Sequence, residues 1–312
     1  MGTSAGAFSL GSESGDDGSF RRQASTFREL VSDDGSTEFP VAAGRYHLYV
    51  ARACPWAHRT LIGRALMGLE DAISVSYADP IRDDRGWRFD DRGHVDSVNG
   101  FRYLSEAYRA ADRSFDGRVT VPVLWDRERG TIVNNESADI LRMLSTSFAS
   151  LAAHPVQLVP DRLRDEIDAL NRLIYDNVNN GVYKAGFATR QEVYEAEVMS
   201  LFQTLDELDL RLANSRFLFG AEPLETDWRL FTTLVRFDAV YQIHFKCSIR
   251  KLVEYEYLWP YARDLFQWPG VAATVDFGEI RAHNYRTHPM NNPSGLVAML
   301  PAASFDEPAH RA

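Results

Sequence analysis

The apolar residues of segment 46–77 change their spacing twice. Residues 46–50 alternate between apolar and polar types, a period of two that predicts a β-strand. Between Leu61 and Leu69 the apolar residues recur with helical spacing, and residues 73–77 alternate again. The segment therefore predicts a strand, a helix and a second strand, with a right-handed crossover that makes the two strands parallel.

A long polar insertion follows, from Asp79 to about Arg118. It carries two copies of Asp-Asp-Arg-Gly, at 83–86 and 90–93, on either side of Trp87. Repeated acidic pairs can bind a metal, but Asp and Gly are also the residues that solvated turns favour. We predict turns here and no metal site.

After the insertion the pattern predicts two strands and a helix. Residues 119–125 form a strand interrupted by Pro122, and residues 131–133 form a short strand. Ser137 is placed to cap a helix that runs towards Phe148.

From Pro160 onward the pattern is helical. Apolar residues at helical spacing predict an amphipathic helix at 163–174. Thr189 and Glu192 form a capping box that starts a second helix. Residues 228–241 are apolar on most faces, as expected of a helix at the centre of a domain.

Composition divides the chain into three parts. Residues 1–38 are rich in Gly, Ser and Asp and predict a flexible N-terminal arm draped over the body, with a weakly helical piece at 24–31. Residues 39–153 form an α/β domain, and residues 160–312 form an all-α domain with a C-terminal tail. Prolines punctuate the interval between these two domains.

Charge and cysteine content narrow the function classes. The net charge of −10 argues against a nucleic-acid partner, which clustered Lys and Arg would bind. The two cysteines form no disulfide framework and are typical of a reducing compartment. We see no apolar run of the roughly 18 residues that a membrane span needs and no signal-peptide pattern, so we expect a cytoplasmic enzyme.

Cys54 is the first candidate for chemistry. It follows the first predicted strand and precedes Pro55 at the start of the predicted helix, where the helix dipole favours a thiolate. Position 57 is Ala, so Cys54 has no resolving cysteine nearby and depends on an external thiol. The alternative is a buried apolar cysteine. His58 lies one turn further on and either assists the thiolate or has a structural or surface role, while Cys247 is predicted to be packed in the helical domain.

Two further elements strengthen the interpretation. In thioredoxin-like folds a proline that opens the third strand is cis and presents backbone groups to a bound thiol, a position that Val121 and Pro122 match here. Glu136 and Ser137 begin a predicted helix, where a hydroxyl and free N–H groups can bind a carboxylate. Taken alone, an edge-strand proline and a capping serine are also common structural features.

Several long strings resemble the glutathionyl-hydroquinone reductases, the xi class of the glutathione transferases. In the first domain they are Tyr-x-Leu-Tyr-x-x-x-x-Cys-Pro-Trp-Ala-His-Arg at 46–59, Gly-Arg-Val-Thr-Val-Pro-Val-Leu-Trp-Asp at 117–126 and Asn-Glu-Ser at 135–137. In the helical domain they lie at 178–188, 228–238 and 244–247. The resemblance runs from about residue 40 to residue 300.

The resemblance implies a glutathione-transferase fold, in which a thioredoxin-like N-terminal domain binds glutathione and a C-terminal helical domain binds the aromatic substrate. Cys54 matches the family's nucleophile, and three tyrosines match the residues that hold the substrate, with Tyr183 or Tyr285 as acid. The matching glutathione contacts are Trp87, Val121, Pro122, Glu136 and Ser137, and the matching tyrosines are Tyr183, Tyr241 and Tyr285. A homodimer is also implied. We expect no metal, because no second Cys or tight His pair completes a set of zinc ligands.

One family residue has no match. The family uses an arginine from the segment before the 117–126 strand, and this chain has Ser105 at the corresponding position, with Arg102 or Arg109 as substitutes. The thiol is therefore glutathione or another low-molecular-weight thiol. We predict reduction of glutathionyl-hydroquinones through a mixed disulfide at Cys54. The alternatives are a general thioltransferase and a non-catalytic thiol-binding module.

Overall fold

A computed structural model of the chain describes residues 15–90, 93–309 and 311. The described residues fall into two compact units. The first contains residues 23–156 and 274–279, and the second contains residues 15–22, 157–273 and 280–311. The boundary between the mixed and the helical part of the chain thus lies between Val156 and Gln157.

The first unit is built on a mixed sheet. Its strands and helices are β1 (Val31–Ser32), β2 (Phe39–Pro40), β3 (Tyr46–Val50), α1 (Pro55–Met67), β4 (Ile73–Tyr77), α2 (Leu104–Ala111), β5 (Val123–Asp126), β6 (Thr131–Asn134) and α3 (Ser137–Ser145). The main sheet has the order β4-β3-β5-β6. Strands β3 and β4 are parallel, and β5 is antiparallel to both β3 and β6. The predicted strand–helix–strand unit is confirmed.

All five residues of β3 are buried, which places this strand in the core. The alternation of apolar and polar residues in its sequence therefore marks no solvent-facing side. His47 has a polar partner inside the core, because its Nδ1 lies 2.7 Å from the hydroxyl oxygen of Ser74 on β4. Burial lowers the pKa of His47 to about 4, so the ring is neutral at neutral pH.

Helices α1 and α3 approach each other closely at Gly63. A Cβ atom at this position would lie 2.7 Å from Cδ1 of Leu141 and 3.1 Å from Cδ1 of Leu144. Real Cβ atoms do not approach other heavy atoms at the shorter distance, so an alanine here would force the Leu141 side chain to shift. Glycine therefore lets the second half of α1 pack closely against α3.

Three local predictions for the first unit are wrong. Residues 24–30 are not helical, and Arg28 forms an isolated antiparallel bridge with Asn134 before the first strand begins at Val31. The strand predicted at 119–125 begins only at Val123, after Pro122, because proline has no N–H for the ladder. Helix α3 is capped by Glu136 rather than by Ser137, which is the first helical residue.

The rest of the chain is helical, as predicted. Its helices are α4 (Arg164–Ile174), α5 (Gly181–Gly186), α6 (Gln191–Arg211), α7 (Glu225–Leu234), α8 (Gln242–His244), α9 (Leu258–Phe266) and α10 (Phe277–Thr287). The helix predicted at 163–174 is confirmed as α4. In the ranges 15–90, 93–309 and 311, no helix is long and apolar enough to cross a membrane.

Two helix predictions in this part need correction. Helix α6 is capped by Arg190, whose side chain forms no capping hydrogen bond, so the box predicted from Thr189 and Glu192 is not formed. The helix predicted at 228–241 is split into α7 and a π-helical turn at Phe237–Tyr241.

Candidate active site

Cys54 is the N-cap residue of α1. It has extended backbone angles, and Pro55 is the first helical residue, where the missing N–H costs no hydrogen bond. The Cys54 carbonyl accepts the N–H of His58 at 3.0 Å, which closes the first turn. Cys54 is partly exposed, and its N-cap position places its side chain at the positive end of the helix dipole.

The backbone before β5 faces this sulfur. The peptide bond between Val121 and Pro122 is cis, as expected from the sequence. The carbonyl oxygen of Val121 lies 3.7 Å from Sγ of Cys54. The structure therefore brings together the predicted nucleophile and the residue predicted to pair with the backbone of a thiol peptide.

The turn between β6 and α3 gathers polar groups of both signs. The Glu136 carboxylate accepts the N–H of Ala138 at 3.2 Å and the hydroxyl of Ser137 at 3.4 Å. Arg59, which is 1% exposed, donates from its guanidinium to the Ser137 hydroxyl oxygen at 3.3 Å. A buried cation, a hydroxyl and a helix N-terminus can bind a carboxylate, and the Glu136 carboxylate can bind an ammonium group.

Sequence reasoning missed two residues of this cluster. Ser25 donates its hydroxyl hydrogen to Oε2 of Glu136 at 2.9 Å, although 111 positions separate the two residues. Arg59 belongs to the Ala-His-Arg string that carries the family resemblance, so the string could have indicated it. No signal in the Gly- and Ser-rich N-terminal segment marks Ser25.

Trp87 and His58 are both buried. The Trp87 ring is 4% exposed, and the guanidinium carbon of Arg82 lies 4.9 Å from the ring centroid. Nε2 of His58 lies 2.8 Å from the hydroxyl oxygen of Thr274. This contact favours the structural role for His58 over assistance to Cys54, and burial excludes the surface role.

The segment around Ser105 shows no obvious replacement for the family's arginine. Ser105 lies in the first turn of α2 and is partly exposed, and Arg102 and Arg109 are both exposed. The structure therefore leaves the choice between these two arginines open.

Three side chains of the acidic insertion lie close enough together to hold a metal ion. Asp79, Asp90 and His94 bring one ligand atom each within 4.8 Å of one another. The Asp79 carboxylate is already ion-paired with Arg88. The first Asp-Asp-Arg-Gly copy forms a tight turn as predicted, with the N–H of Gly86 donating to the Asp83 carbonyl at 3.1 Å. The second copy includes positions 91 and 92, which lie outside the described residues.

The three predicted tyrosines lie in the second unit. The rings of Tyr183 and Tyr241 have centroids 6.0 Å apart, and Tyr183 is partly exposed whereas Tyr241 is buried. Tyr285 packs against His244 with centroids 4.9 Å apart, and its hydroxyl donates to the Ala239 carbonyl at 3.3 Å. Burial raises the pKa of Tyr285, so its phenol stays protonated at neutral pH.

Cys247 is packed as predicted. The residue is fully buried, and burial raises the pKa of its thiol. The thiol form is therefore favoured, and Cys247 is a poor nucleophile compared with the partly exposed Cys54.

Two protein-family models match the chain. The glutathione S-transferase N-terminal domain model matches residues 53–147, and the glutathione S-transferase C-terminal domain model matches residues 191–264. The first match spans Cys54, Val121 and Glu136, and the second spans Tyr241.

Three relatives match along nearly the whole chain. Glutathionyl-hydroquinone reductase YqjG of Escherichia coli is 47% identical over 94% of this chain and 92% of its own. Its glutathione-bound structure superposes with a TM-score of 0.88 and covers 91% of this chain and 95% of that one. Glutathionyl-hydroquinone reductase PcpF of Sphingobium chlorophenolicum is 45% identical over 91% of this chain and 90% of its own. A xi-class enzyme from Natrialba magadii is 50% identical, with a TM-score of 0.89 over 91% of this chain and 88% of its own.

These similarities confirm the predicted fold class, a thioredoxin-like domain followed by a helical domain. They extend well beyond the active-site strings, because they include both domains. The chain belongs to the xi class of the glutathione transferases, the family of the glutathionyl-hydroquinone reductases.

Proposed function

We propose that this protein is a glutathione-dependent reductase of glutathionyl-hydroquinones, acting through a mixed disulfide at Cys54. The observation that carries the proposal is the partly exposed Cys54 at the N-terminus of α1, with its sulfur 3.7 Å from the Val121 carbonyl. Relatives that are 45–47% identical over most of the chain are glutathionyl-hydroquinone reductases.

Glutathione is proposed to bind along the first unit. The Val121 backbone, held next to Pro122, pairs with the cysteine of the tripeptide, and Trp87 packs beside the tripeptide. Ser137 and Arg59 bind the α-carboxylate of the γ-glutamyl group, while Glu136 binds its ammonium group. The Escherichia coli relative has been solved with glutathione bound, which supports glutathione as the thiol.

The aromatic part of the substrate is proposed to bind at Tyr183, Tyr241 and Tyr285. Phenol rings offer an apolar face for the hydroquinone and hydroxyl groups for its oxygens. The proximity of the Tyr183 and Tyr241 rings supports a shared site. Tyr183 or Tyr285 acts as the acid that gives a proton to the aromatic leaving group.

The proposed reaction has two thiol-exchange steps. The Cys54 thiolate attacks the sulfur of the conjugate, a disulfide forms between Cys54 and glutathione, and the aromatic carbon leaves with the electron pair of the broken C–S bond. That carbon gains a proton, and hydroquinone is released. A second glutathione thiolate then attacks the glutathione sulfur of the mixed disulfide, which releases oxidised glutathione and restores the Cys54 thiolate.

Replacing Cys54 with serine tests this mechanism. A serine oxygen cannot form the mixed disulfide, so Cys54→Ser should abolish reduction while glutathione affinity stays near the wild-type value. Cys247→Ser is the matched control and should retain activity, because Cys247 is buried. Wild-type turnover by Cys54→Ser would exclude the mechanism.

Variants of two of the tyrosines test which class of substrate the protein reduces. Tyr183→Phe and Tyr241→Phe should slow reduction of a glutathionyl-hydroquinone and leave reduction of a simple mixed disulfide near the wild-type rate. Equal effects on both substrates would favour a general thioltransferase. Glutathione binding without turnover of either substrate would indicate a binding module.

A cytoplasmic homodimer without a metal is also part of the proposal. Both cysteines are free, which is typical of a reducing compartment. The dimer rests on the family resemblance alone. Light scattering after size-exclusion chromatography should give twice the chain mass of 35.3 kDa, and a monomer would contradict it.

A further inference from the structure

The N-terminal segment 15–22 is packed against residues of the helical part of the chain. The N–H of Thr189 donates to the Gly18 carbonyl at 3.2 Å. Four residues after Gly18, the Nε of Arg22 donates to Oδ1 of Asn180 at 2.8 Å. The segment therefore has a defined position within the second unit, which the prediction of a flexible arm did not anticipate.

Phe20 lies between these two attachment points and is buried. Its ring is 7% exposed and stacks on the Tyr183 ring, with centroids 6.2 Å apart and an interplanar angle of 26°. It also contacts the Phe187 ring, with centroids 5.7 Å apart. Because Gly18 and Arg22 are both held, we expect the Phe20 ring to stay against Tyr183.

Three further rings around Tyr183 pack on one another. The centroid of the Tyr183 ring lies 6.0 Å from that of Tyr241 and 5.3 Å from that of Phe245. The Tyr241 and Phe245 rings are stacked with centroids 5.4 Å apart, and Phe187 lies 5.0 Å from Phe245. These three residues are buried, whereas Tyr183 is partly exposed. The accessible part of this aromatic cluster therefore includes Tyr183, with Phe20 beside it.

We propose that Phe20 is a specificity-determining residue that limits the size of the aromatic ring bound at Tyr183. This inference rests on the proposed role of Tyr183 in binding the hydroquinone. A ring that packs on Tyr183 has the Phe20 ring next to it, and a close-packed interior yields little to additional volume. The Phe20 side chain therefore occupies space that a second fused ring of the substrate would need.

Binding of the aromatic product alone tests the inference without requiring turnover. Hydroquinone and 1,4-dihydroxynaphthalene differ by one fused ring, and isothermal titration calorimetry without oxygen gives the Kd of each. The ratio of the two Kd values in the wild type is the reference. Phe20→Ala should shift this ratio in favour of the larger ring by about tenfold, because one methylene group more or less in a hydrophobic pocket changes binding by about 10–200-fold.

Other side chains at position 20 decide the question if Phe20→Ala does not fold. Phe20→Leu should shift the ratio in the same direction by a smaller factor, and Phe20→Trp should shift it in favour of hydroquinone. Phe27→Ala is the matched control. Phe27 is also partly buried in the N-terminal part of the chain, but its ring contacts Tyr108 and Phe115. This variant should keep the wild-type ratio.

The possible outcomes separate the inference from the proposed function. A ratio that does not follow the size of the side chain at position 20, or an equal shift in Phe27→Ala, would overturn the role of Phe20, even if the wild type reduces a glutathionyl-hydroquinone. If the ratio follows the side chain while the wild type fails to reduce such a conjugate, the size limit is supported and the reductase proposal fails.

Discussion

Ser25→Ala removes a hydrogen bond from the carboxylate proposed to bind the ammonium group of glutathione. The Ser25 hydroxyl donates to Oε2 of Glu136 at 2.9 Å, while Oε1 accepts from Ala138 and Ser137. The two oxygens are therefore held by different parts of the chain. Without Ser25, the Glu136 carboxylate can rotate about its last bond and must be reoriented when glutathione binds.

The expected magnitude follows from the exposure of the site. A hydrogen bond to a charged group contributes about 1.5–3 kcal/mol when buried. Ser25 and Glu136 are both only partly buried, so water replaces part of the lost interaction. We therefore expect a loss of about 1 kcal/mol, which is about a fivefold rise in the KM for the glutathionyl-hydroquinone, whose glutathionyl group binds at Glu136.

Steady-state kinetics at saturating glutathione gives the KM for the glutathionyl-hydroquinone and kcat separately. Ser25→Ala should raise KM and leave kcat unchanged, and Ser25→Thr should restore KM because it keeps the hydroxyl. Ser19→Ala is the control in the same segment, since Ser19 donates to the exposed Asp17 carboxylate at 2.6 Å. An unchanged KM in Ser25→Ala, or an equal rise in Ser19→Ala, would refute the reasoning.

Three further predictions concern other parts of the chain. The pKa of His47 in the folded protein is about 4, below its ordinary value of 6.5. Between these two pH values the unfolded chain binds more protons than the folded protein. The unfolding free energy therefore falls as the pH drops from about 6.5 towards 4. At pH 5 the loss of unfolding free energy from His47 is about 2 kcal/mol. In urea unfolding, the decrease between pH 7 and pH 5 should therefore be smaller in His47→Asn than in the wild type by about 2 kcal/mol. Equal decreases in the two proteins would contradict this prediction. Gly63→Ala should lower the unfolding free energy by about 1–3 kcal/mol through its clash with Leu141. Gly181→Ala is the control and should cost less, because a Cβ there would make contacts no shorter than 3.8 Å. Alkylation of the native protein should modify Cys54 and spare Cys247, as peptide mass spectrometry can check, and equal labelling of both would show that Cys247 is accessible.

The central elements of the fold could be predicted because their signals are local. The period-two and helical spacings of residues 46–77 lie within a few residues of each other, and the structure has β3, α1 and β4 there. Helix starts were less predictable. Capping depends on the backbone angles of a single residue, which is why Ser137 was expected to cap α3 and Glu136 does so.

The site residues that could be predicted are those that lie within the sequence strings shared with the family. Cys54, Val121, Glu136 and Ser137 lie in those strings, and the structure brings Cys54 to Val121 and Ser137 to Glu136. The Ser25 contact joins residues 111 positions apart, and composition gave the N-terminal segment the appearance of a flexible arm. Such contacts depend on tertiary packing, which the spacing of apolar residues within one segment does not reveal.

The most direct test of the account is the covalent state of Cys54 during one turnover. Wild-type protein is mixed with a glutathionyl-hydroquinone in the absence of free glutathione, quenched with acid, and analysed by peptide mass spectrometry. The account predicts one glutathione bound to Cys54 through a disulfide for each hydroquinone released, and reversal of this modification when glutathione is added. Release of hydroquinone with Cys54 unmodified, or an adduct at Cys54 that carries the aromatic ring, would contradict it.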